Sequence, residues 1–274
     1  MKRPSFATAA FRVFDISVGQ MLWSRRTVFM ALTVGAPVAI AIVLRTIHEM
    51  GMPVLRVNGA PVSGEVIFGG LFWLLYLRFV VPVLGAFYGT SLMSDEVEDR
   101  TLTYLFTRPV PRGAVIIGKY LAYLVCTELV VLPSVTAAYF LITPLGGGSI
   151  GAAFPVLLTD LGILAIGLVA YGAVFALIGA LVPRPLVAGL LLVFGWEQIA
   201  LLVPGYLRRF TVAHYLQSLA PQAMPQNDTM AAIQSLFAEP PSAASSLISL
   251  AGITLVALWL AARTVERRDY VLDQ

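Results

Sequence analysis

Residues 113–119 come closest to a known chemical motif in this chain. They read GAVIIGK, which matches the GxxxxGK part of a phosphate-binding loop. The next residue is Tyr120, which stands where such a loop has the Ser or Thr whose hydroxyl holds magnesium. The spacer Ala-Val-Ile-Ile is typical of a membrane helix and not of a loop that wraps phosphates. The sequence therefore predicts that this chain binds no nucleotide itself.

The sequence offers few residues for other catalytic or metal-binding sites. It contains two histidines, His48 and His214, and one cysteine, Cys126. No HExxH pattern occurs, and a single thiol supports neither a disulfide framework nor a cysteine-based metal site. We therefore predict no catalytic residue, no metal site and no cofactor bound by this chain. An intramembrane enzyme is disfavoured for the same reason.

The composition indicates a membrane protein. Of 274 residues, 58% are hydrophobic and 12% are charged, whereas soluble domains are about half apolar and a quarter charged. A membrane helix needs about 20 mainly apolar residues. Six stretches meet this requirement, and they lie at about 27–47, 66–92, 114–142, 153–182, 186–203 and 245–265. The sequence predicts an all-α polytopic membrane protein with six transmembrane helices in one transmembrane domain.

The distribution of Lys and Arg predicts the orientation of these helices. With a cytoplasmic N-terminus, thirteen basic residues fall on the cytoplasmic side and four on the outer side, while Arg78 stays within the membrane. Cytoplasmic loops of membrane proteins carry the excess of basic residues. We therefore expect a multi-pass protein of the cell membrane with both termini in the cytoplasm.

Two segments outside the spans have helical character. Within residues 5–24, Phe11, Phe14 and Val18 recur on one helical face, which predicts an amphipathic helix on the inner leaflet in contact with membrane lipid. The alternative is an unstructured tail. Residues 204–244 contain two helical stretches between prolines and predict an extracytoplasmic helical segment, either a small cap or a re-entrant hairpin.

Four ionisable residues lie inside predicted spans, where a charge costs at least about 2.5 kcal/mol and normally finds a partner or water. They are Arg78, Glu128, Asp160 and Glu197. Arg78 and Glu128 have similar calculated depths on antiparallel helices, which predicts a salt bridge between them. One interpretation places all four on a substrate route. The other makes Arg78 and Glu128 a structural pair, with Asp160 and Glu197 reaching the membrane interface.

The second predicted span contains a GxxxG pattern at Gly85 and Gly89. Small residues at this spacing let two helices approach closely. The pattern is weak support for a dimer seam.

Residues 94–122 hold the densest run of charge in the chain, with eight charged side chains between Asp95 and Lys119. Residues 95–106 suit a short helix, because the acids lie at its positive N-terminal end and Leu102, Leu105 and Phe106 offer an apolar face. Pro109 and Pro111 would end this helix before the third span. The alternative is a merely solvated loop.

The stretch EVEDRTLTYLFTRPVPRGAVIIGKYLA resembles the corresponding segment in the permease subunit of ATP-binding-cassette (ABC) exporters of the type-2 permease family. In that family an acidic residue precedes Gly-Thr-Leu, and Pro-Val-Ser-Arg then precedes a Gly-Lys that opens the third span. Arg100 stands where Gly is usual, and Pro111 where Ser is common. The matching positions are Glu96 or Glu98, Thr101, Leu102, Pro109, Val110, Arg112, Gly118 and Lys119.

The resemblance implies a function and a set of partners. Such a permease is not an enzyme by itself, and ATP and magnesium bind to a separate ABC ATPase subunit. That subunit would grip residues 95–106 as a coupling helix, with contacts expected at Glu96, Glu98, Arg100, Thr101, Leu102, Leu105, Phe106, Pro109 and Arg112. A second permease copy or a paralogue, a bacterial inner membrane and no nucleic acid are also implied. The alternative is a non-transporting membrane scaffold or assembly factor.

Overall fold

The computed structural model describes residues 5–22, 25–52, 56–57, 60–92, 112–202, 206–220 and 241–267. Five helices in this part of the chain are long and apolar enough to cross a membrane. We call them the first, second, third, fourth and last spans, in the order Thr27–Glu49, Gly64–Leu92, Gly113–Ile142, Ile150–Leu181 and Ala243–Val265. The multi-pass, all-α fold is confirmed, and its β structure in the described residues is one antiparallel pair, Arg56–Val57 with Ala60–Pro61.

The fifth predicted span, 186–203, corresponds to a helix over residues 185–202. The apolar part of this helix is Pro185–Ala200, which corresponds to about 24 Å against the roughly 30 Å of a bilayer core. The helix begins directly after the turn that follows the fourth span, where Pro185 occupies the first helical turn. The described part of the chain therefore contains five full-length spans and one shorter apolar helix at the positions of the six predicted spans.

Two of the helices change their hydrogen-bonding pattern along their length. The second span runs as α-helix over Gly64–Leu71 and Val81–Leu84 and as π-helix over Phe72–Val80 and Gly85–Gly89. The fifth helix is composed of Pro185–Leu191, a π-helical Leu192–Trp196, and Glu197–Leu202. Because π-helical segments are concentrated at functional sites, these segments are the first structural indication of where the site lies.

The remaining helices and turns of the described residues are as follows. The N-terminal helix is Phe6–Leu22, the third span belongs to a helix over Arg112–Ile142, and the last span belongs to a helix over Ala243–Arg267. Short 3₁₀ turns occupy Leu145–Gly147 and Tyr206–Phe210. The outer helix is Val212–Leu219, and its first turn is capped by the Thr211 hydroxyl, which accepts from the His214 N–H.

The fourth span lies at the centre of the packing. Its Tyr171 and Phe175 fill the space beside Gly85 of the second span, where an added Cβ would lie 2.9 Å from each side chain. A Cβ added at Gly89 would likewise lie 2.7 Å from the Phe175 Cβ. The GxxxG pattern therefore packs within the chain against the fourth span, so its reading as a dimer seam is wrong for this face.

The N-terminal helix packs against the third span. Gly118 makes this contact possible, because a Cβ there would lie 2.5 Å from the Ala10 carbonyl oxygen. Ala9 and Ala10 are buried, whereas Phe11 is 70% exposed. The helix thus uses small residues toward the protein and leaves aromatic surface pointing away from it. Its position on the inner leaflet stays a prediction.

Candidate functional site: an intramembrane polar cluster

Arg78 lies at the middle of the second span. It is fourteen residues from Gly64 and fourteen from Leu92, or roughly 21 Å from either end at an α-helical rise. Its Nη2 donates to Gln198 Oε1 at 2.7 Å, and its guanidinium stacks over the Trp73 ring at 4.9 Å from the centroid. A cation at mid-membrane is thus held by a neutral amide and an aromatic face.

The π-helix explains why Trp73 can reach Arg78. Residues five apart point about 140° away from each other on an α-helix. A π-helix closes its hydrogen bonds between residues i and i+5, which brings such residues almost above one another. Phe72–Val80 is π-helical, and Trp73 and Arg78 are five apart within it. The local backbone therefore creates the stacked pair.

Glu197 is the second charged member of the cluster, and it is 3% exposed. The Tyr171 hydroxyl donates to Glu197 Oε2 at 2.6 Å. The backbone N–H groups of Val212 and Ala213 also donate to this carboxylate. These two N–H groups form the start of the outer helix, where the helix dipole is positive. Glu197 therefore joins the fifth helix to the fourth span and to the outer helix at once.

The outer helix continues from this point along the fourth span. Leu216 packs over Gly167, where an added Cβ would lie 3.2 Å from the leucine Cδ1. Farther along, the Ser218 hydroxyl lies 2.7 Å from that of Ser246, near the start of the last span. The outer helix therefore packs along the fourth span and reaches the start of the last span, whereas residues 221–240, which hold the second predicted helical stretch, lie outside the described part of the chain.

The outer helix carries a histidine beside two arginines. Partial burial of His214 lowers the pKa of its imidazole below the ordinary 6.5, and the charges of Arg208 and Arg209 lower it further. The neutral form of His214 is therefore favoured in the folded protein.

The predicted salt bridge between Arg78 and Glu128 is wrong. Among the described residues, the ion pair that the structure contains joins Arg45 to Glu49 at 2.7 Å. The calculated depths of Arg78 and Glu128 agreed, but depth does not fix the direction of a side chain around its helix axis. The π-helix presents Arg78 to the fifth helix, where Gln198 binds it.

Asp160 and Glu197 are buried within the protein, at 6% and 3% exposure. Glu197 lies in the polar cluster. Asp160 is buried on the fourth span without an ion pair or hydrogen bond among the residues that the structure describes. The structure therefore brings together two of the four predicted intramembrane residues, Arg78 and Glu197, and leaves Glu128 and Asp160 apart from them.

Three members of the cluster were not predicted from the sequence, namely Trp73, Tyr171 and Gln198. Gln198 carries a weak signal, because it is a polar residue next to a predicted intramembrane acid. Tyr171 and Trp73 are common in membrane helices, and only their tertiary contacts distinguish them.

The predicted partner-binding residues lie mostly outside the described part of the chain. These are Glu96, Glu98, Arg100, Thr101, Leu102, Leu105, Phe106 and Pro109, whereas Arg112 is the first residue of the helix that contains the third span. The spans on either side of this segment contact each other. Lys119 Nζ of the third span donates to the Leu92 carbonyl oxygen of the second span at 3.1 Å.

Comparison with known proteins identifies the family. No match is found among curated proteins. A family model described as "ABC-2 family transporter protein" matches residues 6–270, which is nearly the whole chain. This match includes the charged segment 94–122, the five spans and the outer helix. The chain therefore belongs to the ABC-2 transporter family, as a multi-pass membrane permease subunit of an ABC transporter.

Proposed function

We propose that this chain is the permease subunit of an ABC exporter. It would work as a dimer, with a second copy or a paralogue, together with two ABC ATPase subunits that bind ATP and magnesium. Transport would proceed by alternating access across a bacterial inner membrane, with both termini in the cytoplasm. The observation that carries this proposal is the family match over residues 6–270.

Residues 93–111 are the proposed docking site for the ATPase subunit. The segment connects the second and third spans, which are joined to each other by the hydrogen bond from Lys119 to the Leu92 carbonyl oxygen. A force applied to this segment would therefore act on both spans. Pro109 and Pro111 restrict the backbone immediately before the third span. A stiff attachment of this kind suits the transmission of an ATP-driven movement.

Contacts inside the bundle offer a route from this docking site to the polar cluster. Tyr120 and Tyr123 of the third span donate to the carbonyl oxygens of Val169 and Leu168 at 2.7 and 3.1 Å. The fourth span then continues to Tyr171, which binds Glu197. A shift of the third span would thus move the fourth span near Tyr171, whose hydroxyl binds Glu197 of the fifth helix.

The polar cluster is the proposed coupling point within the helical bundle. Opening of the bundle toward the outside requires the fourth span, the fifth helix and the outer helix to change position relative to one another. Glu197 joins these three elements through hydrogen bonds. We therefore expect the bonds of Glu197 to be rearranged during each transport cycle.

The test is to purify the chain with its ABC ATPase partner and to measure complex formation and ATP hydrolysis in lipid nanodiscs. Glu96→Ala, Leu105→Ala and Arg112→Ala should each weaken complex formation or lower ATP hydrolysis. Glu49→Ala, at an exposed residue, serves as the matched control and should change neither quantity.

Two results would contradict the proposal. If the three variants assemble and hydrolyse ATP like the wild-type complex, residues 93–111 do not couple the subunits. If the complex forms but its ATP hydrolysis moves no solute in any vesicle assay, the chain is a membrane scaffold that holds a cytoplasmic partner.

A further inference from the structure

The indole N–H of Trp73 has no acceptor in the described part of the chain. Its Nε1 atom is buried and makes no hydrogen bond with the residues that the structure describes. A buried donor without a partner costs about 1–3 kcal/mol, so such groups in folded proteins usually face a ligand or an ordered water. The guanidinium of Arg78 stacks over the same ring at 4.9 Å. An unused donor and a cation thus lie side by side.

Arg78 uses few of its own donors. A guanidinium carries five N–H groups, and the hydrogen bond found for Arg78 among the described residues is the one to the neutral amide of Gln198 at 2.7 Å. The side chain is half-buried and lies at the middle of the second span. A cation at this depth is costly and normally has an anionic partner.

Glu197 does not fill this role by direct contact. Its carboxylate accepts from the Tyr171 hydroxyl and from the Val212 and Ala213 N–H groups. These three bonds direct the carboxylate toward the fourth span and the outer helix. Glu197 thus interacts with Arg78 electrostatically but not through a salt bridge. Among the described residues, the Trp73 N–H and the remaining N–H groups of Arg78 have no acceptor.

The neighbouring surface is aromatic and open. Phe79 follows Arg78 and is 43% exposed, and Phe194 of the fifth helix is 50% exposed. Their ring centroids lie 6.3 Å apart, so they form one apolar surface beside the cation. A hydrocarbon chain can lie along such a surface within the bilayer, because both are apolar and neither has to be exposed to water.

We propose that Trp73 and Arg78 bind the phosphate or carboxylate headgroup of an amphiphilic substrate whose hydrocarbon chain lies along Phe79 and Phe194. An anionic oxygen accepts from the indole N–H and from the guanidinium, whose planar arrangement of donors suits phosphate and carboxylate. This inference rests on the proposed transport function and names the substrate class.

The experiment uses tryptophan fluorescence in the full-length chain, reconstituted in phosphatidylcholine nanodiscs. Trp73 is left as the sole tryptophan by Trp23→Phe, Trp196→Phe and Trp259→Phe. The probes are a brominated twelve-carbon alkyl phosphate, the fatty acid of equal length and bromination, and the matching uncharged alcohol. Bromine quenches a tryptophan that it touches, so quenching reports binding at Trp73.

We expect saturable quenching by the phosphate or the fatty acid, with an apparent Kd about tenfold or more below that of the alcohol. The anionic probe that binds more tightly identifies the headgroup as a phosphate or a carboxylate. Arg78→Gln should bring the anionic probe and the alcohol to the same Kd. Arg78→Lys should retain part of the preference for the anionic probe, because lysine keeps the positive charge but lacks the planar set of guanidinium donors.

A second single-tryptophan protein serves as the control. Trp259 is 56% exposed on the last span, and as the sole tryptophan it reports how much probe enters the bilayer. Its quenching should not change with Arg78→Gln. Equal affinity of all three probes at Trp73, or an anionic preference that persists in Arg78→Gln, overturns the inference.

The two proposals fail separately. If the chain assembles with its ATPase and supports ATP hydrolysis while Trp73 shows no preference for an anion, the substrate class is wrong and the proposed function stands. If Arg78→Gln does not fold, the comparison of the three probes in the Trp73-only protein still decides the inference.

Discussion

The hydroxyl of Tyr171 lies 2.6 Å from a carboxylate oxygen of Glu197, and both side chains are buried, at 1% and 3% exposure. This bond joins the fourth span to the fifth helix. The same carboxylate accepts from the first turn of the outer helix. A single side chain thus determines the relative positions of three elements.

Glu197→Gln should loosen the outer helix. The glutamine keeps the shape of the side chain but loses the charge that favours the helix N-terminus and replaces one acceptor oxygen by a donor. The loss should be about 1–2 kcal/mol. Amide hydrogen exchange over Val212–Leu219 should then accelerate about 5- to 30-fold.

The matched control for this variant is Glu49→Gln, at a glutamate that pairs with Arg45 on an exposed surface. It should leave exchange in the outer helix unchanged. Equal exchange rates over Val212–Leu219 in Glu197→Gln and in the wild-type protein would show that the carboxylate does not hold this helix.

Gly172→Ala should destabilise the bundle. A Cβ at this position would collide with the ring of Tyr123, and that ring is fully buried and anchored by its hydroxyl on Leu168. Overpacking of this kind costs about 1–3 kcal/mol. Thermal unfolding in one detergent should therefore show a lower Tm.

The fourth span also provides the control for this substitution. Gly162 has no atom within 4 Å of an added Cβ. Gly162→Ala should leave the Tm unchanged or raise it slightly, since alanine favours the helix by about 0.5–1 kcal/mol. If the two variants unfold at the same temperature, the contact between the third and fourth spans is less close than described.

Gly118→Ala should release the N-terminal helix from the third span, because the new methyl group would press against the Ala10 carbonyl oxygen at 2.5 Å and the Val13 Cβ at 2.9 Å. Trypsin should then cut faster after Arg12, which is exposed but protected by its helix. Gly19→Ala, with no atom within 4 Å, should not change this cleavage. Unchanged cleavage in Gly118→Ala would mean that the close approach at Gly118 does not hold the helix.

The sequence predicted those features that depend on residue type and length. Apolar runs located the five full-length spans, and the pattern of Phe11, Phe14 and Val18 located the N-terminal helix. The fifth predicted span, 186–203, matches the helix over residues 185–202, but the sequence did not indicate that the apolar part of this helix is shorter than a full span. Its apolar part is Pro185–Ala200.

The polar cluster was predicted only in part, since its contacts depend on rotation around helix axes. A count of residues gave the depth of Arg78 but not its direction, and the π-helix over Phe72–Val80 turned it from Glu128 toward Gln198. No local pattern indicates that a π-helix forms there. Tyr171 could be recognised only once the fourth span and the fifth helix were placed together.

His214 should make the stability of the outer helix depend on pH. The folded pKa lies below the ordinary 6.5, first because of burial and then because of Arg208 and Arg209. The unfolded chain therefore binds the proton first, so stability is full above pH 6.5 and is lost as the pH falls from there toward the folded pKa.

The measurement is the Tm of the wild-type protein and of His214→Gln between about pH 7.5 and 5.5. The wild-type Tm should fall more steeply with decreasing pH than that of the variant, because glutamine cannot take up the proton. His48→Gln removes an exposed histidine from the first span and should follow the wild-type curve. Parallel curves for the wild type and His214→Gln would show that protonation of His214 does not oppose folding.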